Sequence, residues 1–255
     1  MRKKLVASGD SFTAGLTPKD KNGKMIIDIG GKSINPSFPL WPELLGEMLD
    51  MDVINLGLSG TGNEYIYNSL IDNLSTIDNI GLTVSCWSSH DRWDFNFPQA
   101  CKTLRIDPNN FEHWLYTGWP ERVKNKYKPV VDSMLEKNMV SSEYNFFKSL
   151  RWYHAYQNFC EVNNISYLQC SAILGGSGSA NVKNNVKSMM LDHPIFYQIK
   201  EDNFIGWPIF NSLGGFNMDD KIGDNRVSEE DYHPNAKGHK IMADILYKHY
   251  KRNYD

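Results

Sequence analysis

A short apolar run near the start of the chain begins at Leu5 and ends in Gly9, Asp10 and Ser11. An apolar, β-prone run that is stopped by glycine and aspartate is typical of a buried strand delivering its next residue to the edge of a sheet. In a parallel sheet, the edge formed by the carboxyl ends of the strands is where open α/β folds hold their active sites. Ser11 is therefore a candidate for chemistry. The tripeptide alone is also typical of an ordinary turn in which Asp10 and Ser11 cap the residues that follow.

A second candidate stretch, from Ser228 to His239, combines acids with histidine. His233 is predicted at the N-cap of the last helix, where the helix dipole and free N–H groups disfavour a protonated imidazole. A histidine that accepts a proton there needs a nearby carboxylate, and both Glu230 and Asp231 lie within three residues. The alternative is a structural capping histidine. His239 is interpreted as a helix-surface residue or a second histidine of the site, since no third ligand follows at metal-ligand spacing.

Two loops between these stretches have suitable composition for a site. Residues 57–63 are rich in glycine, which lets the backbone turn sharply and expose N–H groups before a helix predicted to begin near Glu64. The polar cluster from Ser85 to Arg92 follows a continuously apolar strand. Both loops are therefore predicted at the ends of strands.

The elements that position these residues alternate between strands and helices. Strands are predicted at residues 5–8, 52–56, 80–86 and 165–170, and helices at residues 41–49, 64–74, 142–162 and 234–250, with Pro42 and Pro234 in the first turns of two of them. This alternation favours right-handed crossovers and a parallel sheet. We therefore predict a three-layer α/β/α fold with a mostly parallel, flavodoxin-like sheet of four to five strands.

The length favours a single domain over residues 1–255 that carries three insertions. Residues 17–39 are interpreted as a long surface excursion, residues 94–140 as an aromatic-rich insertion, and residues 181–224 as an irregular covering segment. Small helices are predicted within the second insertion around Phe111 to Leu115 and Lys128 to Lys137, and a flexible connection at Gly175 to Ser179.

Composition excludes several classes of partner. A net charge of −3 and a pI of about 6.2 give no broad attraction for nucleic acid or an anionic membrane, so a small-molecule or sugar-like substrate fits better. The four cysteines form no CxxC pair, which argues against both a zinc site and a disulfide framework. The opening apolar run is too short for a signal peptide, and no stretch approaches the ~20 apolar residues that span a bilayer. A cytoplasmic protein is predicted, or a virion-associated one if the source is viral.

Three blocks of the sequence resemble the SGNH hydrolases, also called GDSL esterases and lipases, in order and spacing over nearly the whole chain. Gly9–Ser11 with Ala14 and Gly15 matches the first block of that family. Residues 55–60 match the second block, and Asp231–Asn235 resembles the last. The resemblance implies a serine esterase that needs no metal or organic cofactor.

The resemblance also implies a role for each matching residue. Ser11 would be the nucleophile, its proton would pass to His233, and an acid would hold the imidazole in one tautomer. The backbone N–H groups of Ser11 and Gly60 would form part of an oxyanion hole. The family pattern places the acid three residues before the histidine, at Glu230, whereas Asp231 is the more usual type of acid, so both remain candidates.

The third block departs from the family pattern Gly-x-Asn-Asp. The nearest alignment is Ser88-Ser89-His90-Asp91, which places His90 at the position of the asparagine that completes the oxyanion hole. A neutral imidazole can donate one hydrogen bond, so His90 could serve, and Ser88 or Arg92 could reach the same place. A Trp-Ser pair followed by an arginine looks similar to variants carried by bacteriophages.

These observations favour hydrolysis of a small acyl ester, such as an O-acetyl group on a carbohydrate. The altered third block leaves a second interpretation, in which an SGNH-fold protein serves as a non-catalytic binding or structural module. A third is transfer of the acyl group to an alcohol instead of water. Substrate choice is predicted to lie in the three insertions, whose aromatic side chains suit sugar rings and equally suit a packed lid.

Overall fold

Seven strands are found in the computed structural model, which describes residues 2–14, 38–96, 114–116, 128–137, 139, 141–174 and 180–255. They are β1 (Lys4–Gly9), β2 (Asp52–Asn55), β3 (Ile80–Trp87), β4 (Asp94–Asn96), β5 (Trp114–Tyr116), β6 (Tyr167–Ser171) and β7 (Phe204–Ile205). Five of them form one sheet in the order β2-β1-β3-β6-β7, and all its pairings are parallel. β4 and β5 form a separate antiparallel pair.

Helices connect the strands. In the described part of the chain these are α1 (Trp41–Leu49), α2 (Asn63–Leu74), α3 (Lys128–Glu136), α4 (Ser142–Val162), α5 (Ala180–Asp192), α6 (Met218–Ile222) and α7 (Ala236–Tyr254), with 3₁₀ turns at Pro194–Gln198 and Asn211–Leu213. None of the helices in these residues is long and apolar enough to cross a membrane.

The sheet separates two apolar cores, because successive residues of β1 point to opposite faces. Val6 packs with the buried side chains of α2, α4 and α5, among them Ile66, Tyr153 and Met190. Leu5 and Ala7 pack on the other face with α1, α6 and α7. The predicted three-layer α/β/α architecture with a flavodoxin-like parallel sheet is thus confirmed.

The strongest sequence patterns are confirmed as elements. α1 begins with Trp41 and carries Pro42 in its first turn, and α4 has the bounds that its periodicity predicts. The predicted helix from Lys128 is also present as α3. Most of the proposed excursion over residues 17–39, most of the insertion over residues 94–140 and all of the glycine-rich connection at 175–179 lie outside the described residues.

Three expectations are wrong. Residues 181–224 are not irregular: they hold most of α5, the fifth strand β7 and α6. α5 is hard to predict because its sequence is mostly polar and its apolar stripe is narrow. Val186 and Met190, four residues apart in this stripe, are buried. Leu115 lies in β5 and not in a helix, because it pairs with Phe95 of β4.

The third correction concerns the start of the last helix. α7 begins at Ala236 with Asn235 as its N-cap, so neither His233 nor Pro234 lies where the sequence predicted it. The Asn235 side chain accepts hydrogen bonds from the N–H groups of Lys237 and Gly238, both at 3.0 Å. Asparagine is among the preferred N-cap residues because its short side chain reaches these otherwise unpaired donors.

Candidate active site

A tight turn after β1 presents Ser11. The Asp10 carbonyl accepts hydrogen bonds from the N–H groups of Thr13 and Ala14, both at 2.9 Å, and Asp10 Oδ1 accepts one from Phe12 N, also at 2.9 Å. Phe12 and Thr13 are buried, whereas Ser11 is only half-buried. These hydrogen bonds restrain the backbone of the turn, and Ser11 stays partly exposed at the carboxyl edge of the sheet.

The Asp10 carboxylate bonds this turn to the loop after β3. Its carboxylate is fully buried, and Oδ2 accepts hydrogen bonds from Ser88 Oγ at 2.7 Å and from Arg92 Nη1 at 2.9 Å. A carboxylate without water needs such charge-assisted partners. Asp10 is therefore more than a turn-capping residue, because it ties the β1 turn to the loop after β3.

The loop after β2 brings Gly60 to the same edge. The Gly60 backbone has a φ of +85°, a conformation that residues with a Cβ rarely adopt. A Cβ placed there would meet no heavy atom within 4 Å, so the requirement for glycine is conformational and not steric. Arg92 Nη1 also donates to the carbonyl of Thr61, the next residue, at 3.2 Å.

Asp94 caps α2, which begins directly after this loop. Its carboxylate accepts hydrogen bonds from the N–H groups of Gly62 at 2.9 Å and Tyr65 at 3.0 Å. Burial raises the pKa of Asp94 to about 6, and the two backbone hydrogen bonds and Arg92 act in the opposite direction. The start of α2 is thus fixed by a side chain from β4.

His233 is paired with Asp231 in the loop that precedes α7. Asp231 Oδ1 lies 2.5 Å from His233 Nδ1 and 3.1 Å from the His233 backbone N. Because an ionised carboxylate only accepts, the ring proton of a neutral His233 belongs on Nδ1, and Nε2 is left as the basic nitrogen. Glu230 is exposed, while Asp231 and His233 are half-buried. Of the two candidate acids, the structure therefore brings Asp231 to the imidazole.

Trp41 connects the Ser11 turn with the region around His233. Its indole Nε1 donates to Thr13 Oγ1 at 3.3 Å, and its backbone N donates to His239 Nδ1 at 3.2 Å. The rings of Phe12 and His233 lie 6.2 Å apart between centroids. Ser11 and His233 thus come to one edge of the sheet, but within the described residues no direct hydrogen bond joins their side chains.

His239 is not a helix-surface residue, as one sequence interpretation had it. Its side chain is buried against Trp41 and Phe38. Burial, and to a smaller extent the positive charge of a protonated His233, lower the pKa of His239 from 6.5 to about 4. A neutral ring is required there because Nδ1 accepts the Trp41 N–H.

His90 follows β3, as expected, but its Nε2 is directed at the start of α4. Nε2 lies 3.2 Å from Ser142 Oγ, and that hydroxyl donates to Asp91 Oδ1 at 2.6 Å. Since the single hydroxyl proton goes to Asp91, His90 Nε2 carries the proton that bonds to Ser142. Burial lowers the pKa of His90, so the neutral ring is favoured. A neutral His90 would have to give up this bond to donate into the site.

The sequence alone does not reveal the contact between Asp10 and Arg92. It predicts Asp10 only as a turn-capping residue and Arg92 only as one of three alternatives for the third block. Their bond joins positions 82 residues apart, which periodicity does not reveal. What the sequence does show is an apolar strand followed by an arginine, and an aspartate directly before the candidate serine.

Within the described ranges, no group of three or more histidine, cysteine or acidic side chains is arranged to hold a metal ion.

Solved structures similar to this chain include several esterases. A psychrotrophic esterase from Pseudoalteromonas is 14% identical with a TM-score of 0.48, covering 98% of this chain and 97% of the other. A lipolytic G-D-S-L family member from Veillonella parvula is 14% identical with a TM-score of 0.43 over 98% and 99%. An acetyl xylan esterase is 13% identical with a TM-score of 0.44 over 96% and 98%. The sequence matches no protein-family model and no curated protein.

Proposed function

We propose that this protein is a serine esterase of the SGNH-hydrolase type that acts on a small acyl ester, including an O-acetyl group on a carbohydrate. The observation that carries the proposal is the Asp231–His233 pair, 2.5 Å apart, at the same sheet edge as the accessible Ser11. The order of the three sequence blocks supports it independently. The site is thus proposed to contain a Ser11–His233–Asp231 triad.

In the proposed reaction, Ser11 Oγ attacks the acyl carbon while its proton passes to His233 Nε2. Collapse of the tetrahedral intermediate breaks the bond to the alcohol oxygen, which leaves with the proton from His233. Water then attacks the acyl-enzyme and gives a proton to His233. Collapse of this second intermediate breaks the bond between the acyl carbon and Ser11 Oγ, Oγ takes the proton back from His233, and the acid is released. Asp231 stabilises the imidazolium in both halves without taking the proton.

The negative oxygen of the intermediate needs hydrogen-bond donors that are already in place. The proposed donors are the backbone N–H groups of Ser11 and Gly60, both in turns with restrained backbones. The sequence also predicts His90 as a donor, but it can serve only by giving up its bond to Ser142. Removing one such donor typically costs ~10²–10³ in turnover. The hydrogen bond between a nucleophile and its base is often long without substrate, so a Ser11–His233 contact is expected to tighten on binding.

The proposal is tested by labelling with a fluorophosphonate and by hydrolysis of p-nitrophenyl acetate. We expect mass spectrometry to find one covalent adduct, on Ser11, and hydrolysis that is lost in Ser11→Ala. Ser75→Ala is a matched control, because Ser75 is exposed at the end of α2, where its hydroxyl donates to the Asp72 carbonyl, and has no proposed role.

An unlabelled Ser11 in a folded protein would contradict the proposal and would favour the non-catalytic binding module. Analysis of products in the presence of a competing alcohol separates hydrolysis from acyl transfer. Predominant formation of the new ester would replace the hydrolase by a transferase with the same triad.

A further inference from the structure

We propose that Arg92 is a positioning residue that fixes two segments relative to each other. These are the turn at residues 10–14, which carries Ser11, and the loop at residues 57–63, which carries Gly60. This inference rests on the proposed function, since it gives Arg92 a task in the same site. One guanidinium nitrogen, Nη1, donates to Asp10 Oδ2 at 2.9 Å and to the Thr61 carbonyl at 3.2 Å. Asp10 directly precedes Ser11, and Thr61 directly follows Gly60. Arg92 therefore contacts both segments that supply the proposed backbone donors.

Burial of Arg92 and Asp10 strengthens the hydrogen bonds between them. The Arg92 side chain is only 8% exposed and the Asp10 side chain is not exposed at all. Hydrogen bonds between charged groups are stronger in such a low-dielectric setting than in water. The guanidinium is planar and holds the two N–H bonds of Nη1 in a fixed arrangement, so a small displacement weakens the bonds to both acceptors.

The Asp10 carboxylate transmits the position of Arg92 to the nucleophile. Oδ2 accepts from Ser88 Oγ as well as from Arg92, and Oδ1 accepts from the N–H of Phe12 within the turn. A shift of the carboxylate therefore moves the peptide on the carboxyl side of Ser11. Donors of an oxyanion hole must be held to within about 0.5 Å, so this link affects turnover more than substrate binding.

The same link accounts for the altered third block. The resemblance implies an asparagine there that donates to the oxyanion directly. In this chain the aligned His90 bonds to Ser142, and the loop instead sends Arg92 to the backbone segments that hold the other two donors. We infer that fixing these donors takes the place of adding a third.

The experiment separates positioning from stability by removing both buried charges. Arg92→Met alone leaves Asp10 as an unpaired buried charge and is expected to unfold easily. The double variant Asp10→Asn/Arg92→Met keeps side chains of similar size, and the introduced amide can still accept from Phe12 N. We expect its melting temperature to recover towards wild type. Its kcat for p-nitrophenyl acetate should stay about 10²-fold below wild type, with KM changed less than about threefold.

Two further measurements complete the test. Hydrogen exchange should be faster than wild type in peptides covering residues 8–14 and 56–63 of the double variant, and unchanged elsewhere in the sheet. Arg92→Lys, which keeps the charge but lacks this planar pair of N–H donors, should also lose kcat. Arg252→Met is the ion-pair control, because Arg252 bonds to Asp202 on the surface at 3.1 Å, and it should retain kcat.

A folded double variant with wild-type kcat and wild-type exchange in both peptides would overturn the inference and leave the esterase proposal standing. A wild-type protein that neither reacts with fluorophosphonate nor hydrolyses esters would overturn both. The two failures are therefore distinguishable.

Discussion

At the scale of single residues, the geometry around His233 favours the nearer acid in the chain. Asp231 reaches Nδ1 from two residues away because its backbone N is held by Ser228 Oγ at 3.0 Å, which turns its carboxylate towards the ring. Glu230 also donates its backbone N to Ser228, at 3.3 Å, but its side chain is exposed. A carboxylate in this position sets the tautomer on which the proposed proton transfer depends.

Asp231→Asn is therefore expected to lower kcat by roughly 10²–10⁴-fold, because an amide can present its NH₂ group to Nδ1 and stabilise the wrong tautomer. The measurement is steady-state hydrolysis of p-nitrophenyl acetate by the folded variant. Glu230→Gln is the matched control and should stay within about twofold of wild type. Equal losses in the two variants would contradict the assignment of Asp231 as the acid, and a loss confined to Glu230→Gln would assign Glu230 instead.

Single residues also show where sequence reasoning stops. Local patterns are enough to predict three candidate site residues. Ser11 follows the end of an apolar strand, and Asp231 lies two residues before His233. The Asp10–Arg92 bond could not be predicted, since it is formed only when the loops after β1 and β3 meet. The orientation of His90 depends in the same way on Ser142, 52 residues further along.

At the scale of elements, α1 and α7 are joined by a polar contact at a helix end. Leu40, the N-cap of α1, provides no side-chain acceptor, and His239 Nδ1 accepts the N–H of Trp41 instead. This contact requires neutral imidazole. Because burial lowers the pKa of His239 from 6.5 to about 4, the neutral form is favoured in the folded protein relative to the unfolded one.

The stability that His239 contributes is therefore complete above pH 6.5 and is lost as the pH falls towards 4. We expect the wild-type free energy of unfolding to decrease between pH 7 and pH 4 by roughly 2–3 kcal/mol more than that of His239→Asn. The amide introduced by this substitution can accept the Trp41 N–H but does not titrate. Urea unfolding at several pH values measures the difference.

His154→Asn is the control for this prediction, because His154 lies on the outer part of α4 and contacts Asn158. Its pH dependence should follow wild type. Parallel curves for wild type and His239→Asn would show that His239 is protonated equally in the folded and unfolded states.

The elements also explain which parts of the fold were predictable. The bounds of α4 follow from a long alternation of buried and exposed positions, so the sequence alone locates them. β7 has two residues, Phe204 and Ile205, and becomes a strand only because β6 offers an unpaired edge. The start of α7 was misplaced because proline is a common first-turn residue, whereas the actual cap is the side chain of Asn235.

At the scale of the whole molecule, the proposed site and the contacts that hold the end of α7 lie at opposite edges of the sheet. The proposed triad and the Arg92 contacts lie at the carboxyl edge. At the amino edge, the Tyr254 hydroxyl accepts from Asn203 Nδ2 at 2.6 Å and donates to the carbonyl of Tyr167, the first residue of β6, at 2.8 Å. This hydroxyl ties the end of α7 to the sheet without touching the site.

Tyr254→Phe is accordingly expected to lower the free energy of unfolding by about 1–3 kcal/mol and to leave kcat unchanged, because it removes a hydroxyl that bonds to partly buried groups. Denaturant unfolding and ester hydrolysis are measured on the same preparation. Tyr250→Phe, one helical turn earlier, is the control and should cost less than about 0.5 kcal/mol. A kcat loss in the folded Tyr254→Phe variant would show that the two edges are coupled.

The parallel topology has a consequence for the protein during its synthesis. β1 and the Ser11 turn leave the ribosome long before Asp231, His233 and the Trp41 partner on α7. The strands β1, β2, β3 and β6 can pair earlier, but the Ser11 turn then has no base beside it. If the proposed function holds, a nascent chain keeps a partly formed sheet without hydrolytic capacity until α7 docks onto α1 and His233 reaches the Ser11 turn.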